Sequence, residues 1–277
     1  MLGFFSDMFS HAFLIRAVLI GSIIAVCAAL LGVTLVLKRY SMIGDGLSHV
    51  GFASLSIALA FNAAPLVIAI PAVVAAAFFL LKISENSRIK SDSLIAIVAT
   101  LSLSAGVIVT SLSGGVNADV YGYMFGSILA MNDTDVIISL VLAFFVFVLY
   151  VLFYNKLFAI TFDEGFAKST GARVNLYNML IALLTAVTIV VGMRMMGTLL
   201  ISGLIIFPAL TSMRMFTSFR GVVISSAIVS ALCCFFGIAF SYGLNIPAGA
   251  SIVAVNAAAL LIFAVLGRVV MTFKRDK

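Results

Sequence analysis

The sequence predicts an all-α integral membrane protein, a polytopic bundle of about nine transmembrane helices, and three observations carry that prediction. Of 277 residues, 64% are hydrophobic and only 9% are charged, whereas soluble domains run nearer a quarter charged. Mean hydropathy is +1.30, and a soluble domain of this length would need far more polar surface to cover its core. The basic residues fall in short breaks between long apolar runs, as they do in loops on the inner side of a membrane.

Apolar runs approaching the roughly 20 residues that cross a hydrocarbon core cover 13–37, 43–61, 65–82, 93–112, 136–155, 176–192, 197–213, 221–241 and 249–267. The first leads from Ala12 into a long span without an A-x-A-like end, so no cleavable signal is expected. Runs 43–61 and 197–213 are short or carry Gly and Pro, which suits tilted, broken or partly spanning helices. Eight to ten spans fit the runs, and charge selects nine. With the N-terminus outside, Lys38, Arg39, Lys82, Arg88, Lys90, Lys156, Lys168, Arg173, Arg214, Arg220, Arg268, Lys274, Arg275 and Lys277 all face the cytoplasm. Only Arg16 and Arg194 fall on the outer side, with Asp7, Asp119, Asp133 and Asp135. That asymmetry puts the C-terminus in the cytoplasm and requires an odd number of crossings. No fixed-period repeat, low-complexity tract or long linker divides the chain, so residues 1–277 form one domain.

A net charge of +6 and a pI near 9.4 would suit nucleic acid only if the cations clustered on a solvated face among aromatics. They do not. Cys27, Cys233 and Cys234 lie within apolar stretches, away from any histidine at metal-type spacing, and read as buried small hydrophobes. The chain has no G-x-x-x-x-G-K-[ST] loop, no H-E-x-x-H and no G-x-S-x-G elbow, so ATP hydrolysis by a P-loop, zinc proteolysis and serine hydrolysis are not expected of it.

Ionisable groups inside a span cost several kcal/mol unless they line a cavity or find a partner, which makes them functional candidates. Asp45 and His49 are the two that stand out, in Ser41-Met-Ile-Gly-Asp-Gly-Leu-Ser-His-Val-Gly51. On a helix their spacing places carboxylate and imidazole on one face. An oxygen and a nitrogen donor together suit Mn²⁺, Zn²⁺ or Fe²⁺ better than Mg²⁺ or Ca²⁺, which prefer oxygen. Gly44, Gly46 and Gly51 leave room for close helix approach or exposed carbonyls, and Ser48 adds a hydroxyl on nearly the same face. A coordinating His49 must be neutral, so an ion held there should be released as pH falls. The same spacing also suits a structural pair, Asp45 with His49 or either with Lys38 or Arg39. His11 precedes the first span and is read as capping or snorkelling at the outer surface.

The inner segment Asn155–Asn175 mixes Asp163, Glu164, Lys168 and Arg173 with apolar Phe162, Phe166 and Ala167. A short helix there would carry one apolar stripe at 162, 166 and 167, fit for a partner's groove or for the membrane surface. Asp119, Asp133 and Asp135 of the outer segment could attract a cation or meet a partner protein, or be solvated surface. Phe207, Pro208, Met195 and Met196 could form constrictions or pack ordinarily.

The stretch Lys38-Arg39-Tyr40-Ser41-Met42-Ile43-Gly44-Asp45-Gly46-Leu47-Ser48-His49 resembles the G-D-x-L-S-H signature of the membrane permeases of manganese, zinc and iron ABC importers, the ABC-3 family. Tyr123–Ala130, Phe162–Gly171, Met196–Ala209 and Pro247–Ile252 continue the likeness in order, over nearly the whole chain. The resemblance implies a permease in a bacterial cell membrane that works as a homodimer with two cytoplasmic ATPase subunits and an extracytoplasmic metal-binding lipoprotein. It implies no permanently bound cofactor, with the divalent ion as cargo. It also implies that Asp45 and His49 lie on the metal pathway and that Phe162, Asp163, Glu164, Gly165, Phe166, Ala167 and Gly171 belong to a coupling helix on the ATPase. Two other readings compete: a gradient-driven carrier or channel with Asp45 and His49 as proton relay, which often shows inverted repeats not found here, and an ABC permease for a siderophore or corrinoid, which would not call for a carboxylate and imidazole one turn apart.

Overall fold

The computed structural model describes residues 10–86, 91–113, 126 and 133–275. Eleven helices are described, here numbered α1 (Ala12–Leu37), α2 (Ile43–Ala60), α3 (Pro65–Asn86), α4 (Ser91–Leu112), α5 (Asp133–Leu152), α6 (Tyr154–Phe162), α7 (Glu164–Ser169), α8 (Val174–Met196), α9 (Thr198–Ser212), α10 (Phe219–Leu244) and α11 (Ala248–Arg275). In hydrocarbon every backbone polar group must be satisfied within the protein, and helices do this locally.

Seven helices, α1, α2, α3, α4, α8, α10 and α11, are long and apolar enough to cross a membrane. These match seven of the expected runs. The other two differ. The run at 136–155 does not stop before a loop: α5 continues into α6 through a 70° bend at Phe153, which leaves the helical region at φ −98°, ψ 9°. The run at 197–213 forms the 15-residue α9, about 22 Å long at 1.5 Å per residue and short of the roughly 30 Å core. Its start is set by Gly197 at φ 87°, ψ 161°, a region essentially reserved for glycine, so α8 ends at Met196 and a new helix begins at Thr198.

Helix α1 is central. It packs against α10, α9, α5 and α8, while α2 lies against α4, α3 and α9. Buried Leu31, Val33, Leu35, Leu47, Val190, Ile201 and Ile205 join these elements in one core. On the periphery, Leu101, Phe144 and Leu261 are exposed, which water would penalise and lipid solvates. Cys27, Cys233 and Cys234 are free and buried, as small hydrophobes would be.

The corner between α1 and α2 is tight. Arg39 N–H donates to Val36 O (3.1 Å) and Tyr40 N–H to Leu35 O (2.8 Å), the paired bonds of a Schellman stop. Arg39 takes the left-handed position at φ 62°, which usually falls to Gly. Ile43 N–H then donates to Tyr40 O (3.0 Å) and Gly46 N–H to Met42 O (3.1 Å), so the first turn of α2 forms directly after the stop.

Candidate metal site and cytoplasmic coupling surface

Helix α2 brings the two sequence-predicted donors together. Asp45 is in its first turn, where a carboxylate is favoured by the helix dipole, and His49 follows one turn later. His49 Nε2 lies 3.7 Å from Asp45 Oδ2, with side-chain exposures of 19% and 39%. That separation exceeds a hydrogen bond. It is close to the roughly 3.4–3.6 Å between two donors each about 2.1 Å from one shared ion. His49 Nδ1 is buried and has no hydrogen-bond partner among the described residues, an omission that costs roughly 1–3 kcal/mol if left unmet.

The glycines around the pair serve close approach. A Cβ on Gly44 would lie 3.0 Å from Ile205 Cδ1 of α9, one on Gly46 2.6 Å from Ile95 Cγ2 of α4, and one on Gly51 2.6 Å from Met193 Cε of α8. Three neighbours therefore press on α2 and fix the direction in which Asp45 and His49 point. Ser48 is not presented to an ion: its hydroxyl donates to Asp45 O at 2.8 Å and the residue is 1% exposed. The free hydroxyl of a Ser inside a span usually bonds back to its own helix in this way. Ser202 of α9 takes that place, within 3.5 Å of Asp45 Oδ1 while also bonding Thr198 O at 2.9 Å. Sequence reading missed it, because only the stretch Met196–Ala209 was marked and nothing local points Ser202 at Asp45.

The alternative in which Lys38 pairs with Asp45 or His49 is not the arrangement found. Lys38 Nζ lies 2.6 Å from Glu164 Oε1 and donates to Asn178 Oδ1 at 2.5 Å. Arg39 projects from the corner as an exposed residue. His11 occupies the N-cap position of α1, without a side-chain cap bond, and its ring packs near Phe13 and Tyr242 at 5.5 and 6.3 Å.

In the segment expected to face the cytoplasm, the single helix expected across 162, 166 and 167 is divided. Asp163 is extended at φ −149°, ψ 98° and ends α6. Its carboxylate accepts the Phe166 N–H at 2.9 Å and so caps α7. A helix period cannot run through a capping residue, and the three apolar residues part accordingly. Phe162 and Phe166 are exposed, whereas Ala167 is buried against Ile160 and Val174. Glu164, Gly165 and Phe166 are exposed on α7, with Phe162 exposed just before it at the end of α6, and Gly171 at φ 82° follows the end of α7. Phe162 also packs with Phe158 and Phe219, at 5.0 and 5.9 Å between rings.

Of the residues considered for constrictions, Met196 and Pro208 are buried in the core and Phe207 is half-buried. Asp119 lies outside the described residues, and Asp133 and Asp135 open α5. A cavity of about 400 Å³ between α1 and α5 is lined by Ile23, Val26, Phe144, Phe147 and neighbours; its lining is apolar, it does not include Asp45 or His49, and it offers an ion nothing. No cluster of three or more His, Cys, Asp or Glu side chains exists among the described residues.

Comparison with known proteins agrees with this architecture. A metal transport system membrane protein of Thermotoga maritima is 33% identical over 91% of this chain and 89% of its own length. The manganese import system permease protein ScaB of Streptococcus gordonii is 29% identical over 94% and 93%. Among solved structures, PsaBC from Streptococcus pneumoniae in complex with Fab superposes with a TM-score of 0.85 at 29% identity, covering 95% of both chains. Residues 10–267 match the model of the ABC 3 transport family, and this multi-pass membrane protein belongs to that family.

Proposed function

We propose that the chain is the permease subunit of an ATP-binding cassette importer that carries a divalent transition-metal ion, Mn²⁺, Zn²⁺ or Fe²⁺, into the bacterial cytoplasm. One observation carries the metal assignment: a carboxylate and an imidazole face one another across 3.7 Å on α2. Family membership supports ATP-driven import over the gradient-driven carrier, and the absence of a P-loop from this sequence assigns hydrolysis to a separate subunit.

In this reading the ion is cargo. Asp45 supplies negative charge and His49 a neutral nitrogen, a donor set suited to borderline divalent ions. Two donors per chain are few, so a second copy of the permease would double them, and an extracytoplasmic metal-binding protein would deliver the ion. Counting α9 as a short crossing beside the seven long helices and the α5–α6 pair gives nine, the odd number that an outer N-terminus and a cytoplasmic C-terminus require. Asp163, Glu164, Gly165, Ala167 and Gly171 shape α7, and Phe162 and Phe166 offer the ATPase an apolar face. Hydrolysis there would rock two bundles between outward and inward openings.

The test is uptake of radiolabelled Mn²⁺ and Zn²⁺ by cells expressing the whole transporter, comparing wild type with Asp45→Asn and His49→Ala at matched membrane abundance. Loss of uptake in both variants is expected. Normal uptake in both would make the pair structural and overturn the assignment.

A further inference from the structure

A second polar cluster lies outside the donor pair, where three segments distant in sequence meet. Lys38 caps the end of α1, Glu164 opens α7 and Asn178 lies in the second turn of α8. The Lys38 ammonium reaches Glu164 Oε1 at 2.6 Å and Asn178 Oδ1 at 2.5 Å, and Asn178 Nδ2 donates to Glu164 Oε1 at 3.3 Å. The three form a closed triangle. Its lysine side chain is only 7% exposed although Glu164 is 46% exposed, so water reaches the pair from the carboxylate side alone, and the buried ammonium depends on Glu164 and Asn178 for its partners.

From these contacts we infer that Lys38 is a positioning residue, the centre of a rigid latch that makes α7 and the Asp45-bearing turn of α2 move as one body. The inference rests on the proposed coupling role of α7. Three features support it. Helix α7 is short and exposed, so it moves with whatever docks on it unless tied to the bundle. Its Glu164 is tied to Lys38, and the four residues from Arg39 to Met42 are held by the stop and the first α2 bonds described above. Asp45 then follows within the first turn of α2. The path from the α7 surface to the donor pair is therefore a hydrogen-bonded corner with no free linker in it.

The test uses the complete transporter, permease with its ATPase subunits and delivery protein, in proteoliposomes. Uptake of Mn²⁺ and ATP hydrolysis are measured together. Lys38→Gln is expected to lower the number of ions moved per ATP at least about fivefold, the lower end of ordinary coupling between sites, with hydrolysis within about twofold of wild type. Lys38→Arg, and the exchange of Lys38→Glu with Glu164→Lys, should recover most of the ratio. If uptake and hydrolysis instead fall together in proportion to intact complex, Lys38 is merely structural and the latch is refuted, as it is if the ratio stays at the wild-type value. A second readout needs no cargo. Spin labels on Met42→Cys and Ser169→Cys, both at exposed positions and distinct from the three buried native thiols, report the distance between the two bodies. That distance should stay constant on ATP binding in the wild-type background and change or broaden in Lys38→Gln. An ATP-dependent shift already present without Lys38→Gln would overturn the latch. A transporter that moves neither Mn²⁺ nor Zn²⁺ would overturn only the cargo assignment, leaving this distance to decide.

Discussion

Replacing Asp163 by alanine isolates the forces that hold α7. The carboxylate accepts the Phe166 N–H at 2.9 Å, and losing such a cap costs about 1 kcal/mol, with a range of roughly 0.5–2. Six residues cannot sustain a helix by themselves in water, where isolated helices below about 12 are marginal. What remains after the substitution is Ala167 packed on Ile160 and Val174 and the Lys38–Glu164 contact. Opening of α7 is thus local, and its equilibrium should shift by the whole cap energy. At RT of about 0.6 kcal/mol this is roughly fivefold, and between about two- and thirtyfold over the range given.

Hydrogen exchange of the Ala167 amide in the purified transporter measures that shift directly, because its acceptor, Asp163 O at 3.0 Å, survives the substitution. Asp163→Ala should accelerate it by the stated factor. Amides at the centre of α1, whose Leu30 and Leu31 are buried, should not change. Asp163→Asn separates the cap from the charge, since asparagine caps as well as aspartate but contributes nothing to the helix dipole, and it should restore most of the protection. Unchanged Ala167 exchange in Asp163→Ala would refute the claim that this bond defines α7.

Gly46→Val places a Cβ 2.6 Å from Ile95 Cγ2, and overpacking of this kind costs about 1–3 kcal/mol; a lowered apparent Tm in detergent, recovered by adding Ile95→Ala, is expected. Ser202→Ala removes a contact of 3.5 Å to Asp45 Oδ1 that the hydroxyl shares with Thr198 O. A contact that long falls below the usual 1.5–3 kcal/mol of a bond to a charged group, so the apparent KM for the ion should rise by less than about fivefold with maximal uptake retained. Arg39→Gly relieves a left-handed backbone at about 1 kcal/mol, and thermal denaturation should show a small gain in stability.

The parts of this molecule legible in its sequence are those set by local chemistry. Apolar runs of near-membrane length marked seven of the helices, and the four-residue spacing of Asp45 and His49 placed them on one face because α2 is a regular helix at that point. What failed to show was decided across long separations or by single backbone angles. Phe153 bends the α5–α6 path by 70° with neither Gly nor Pro there to signal it. The apolar stripe at 162, 166 and 167 assumed one continuous helix, and Asp163 ended one and capped another. Lys38 had an acidic partner 126 positions away, and opposite charge alone could not distinguish Glu164 from the nearer Asp45. Ser202 approaches Asp45 only because α9 begins afresh after Gly197, a consequence of one positive φ angle.

Under the proposed role of Asp45 and His49 as ion donors, the energetic character of the pair fits a pathway better than a store. A storage site surrounds its ion with four or more protein ligands, and emptying it leaves several buried donors unsatisfied, which resists release. Here Asp45 is more than a third exposed, so water can solvate its carboxylate when the ion departs. Ile205, Ile95 and Met193 pack closely on the glycine faces of α2, the helix on which Asp45 Oδ2 and His49 Nε2 lie 3.7 Å apart. In Gly51→Ala the Met193 Cε contact at 2.6 Å, made by the far end of a flexible side chain, should yield with less effect on ion entry than Gly46→Val, where a branched Ile95 cannot retreat.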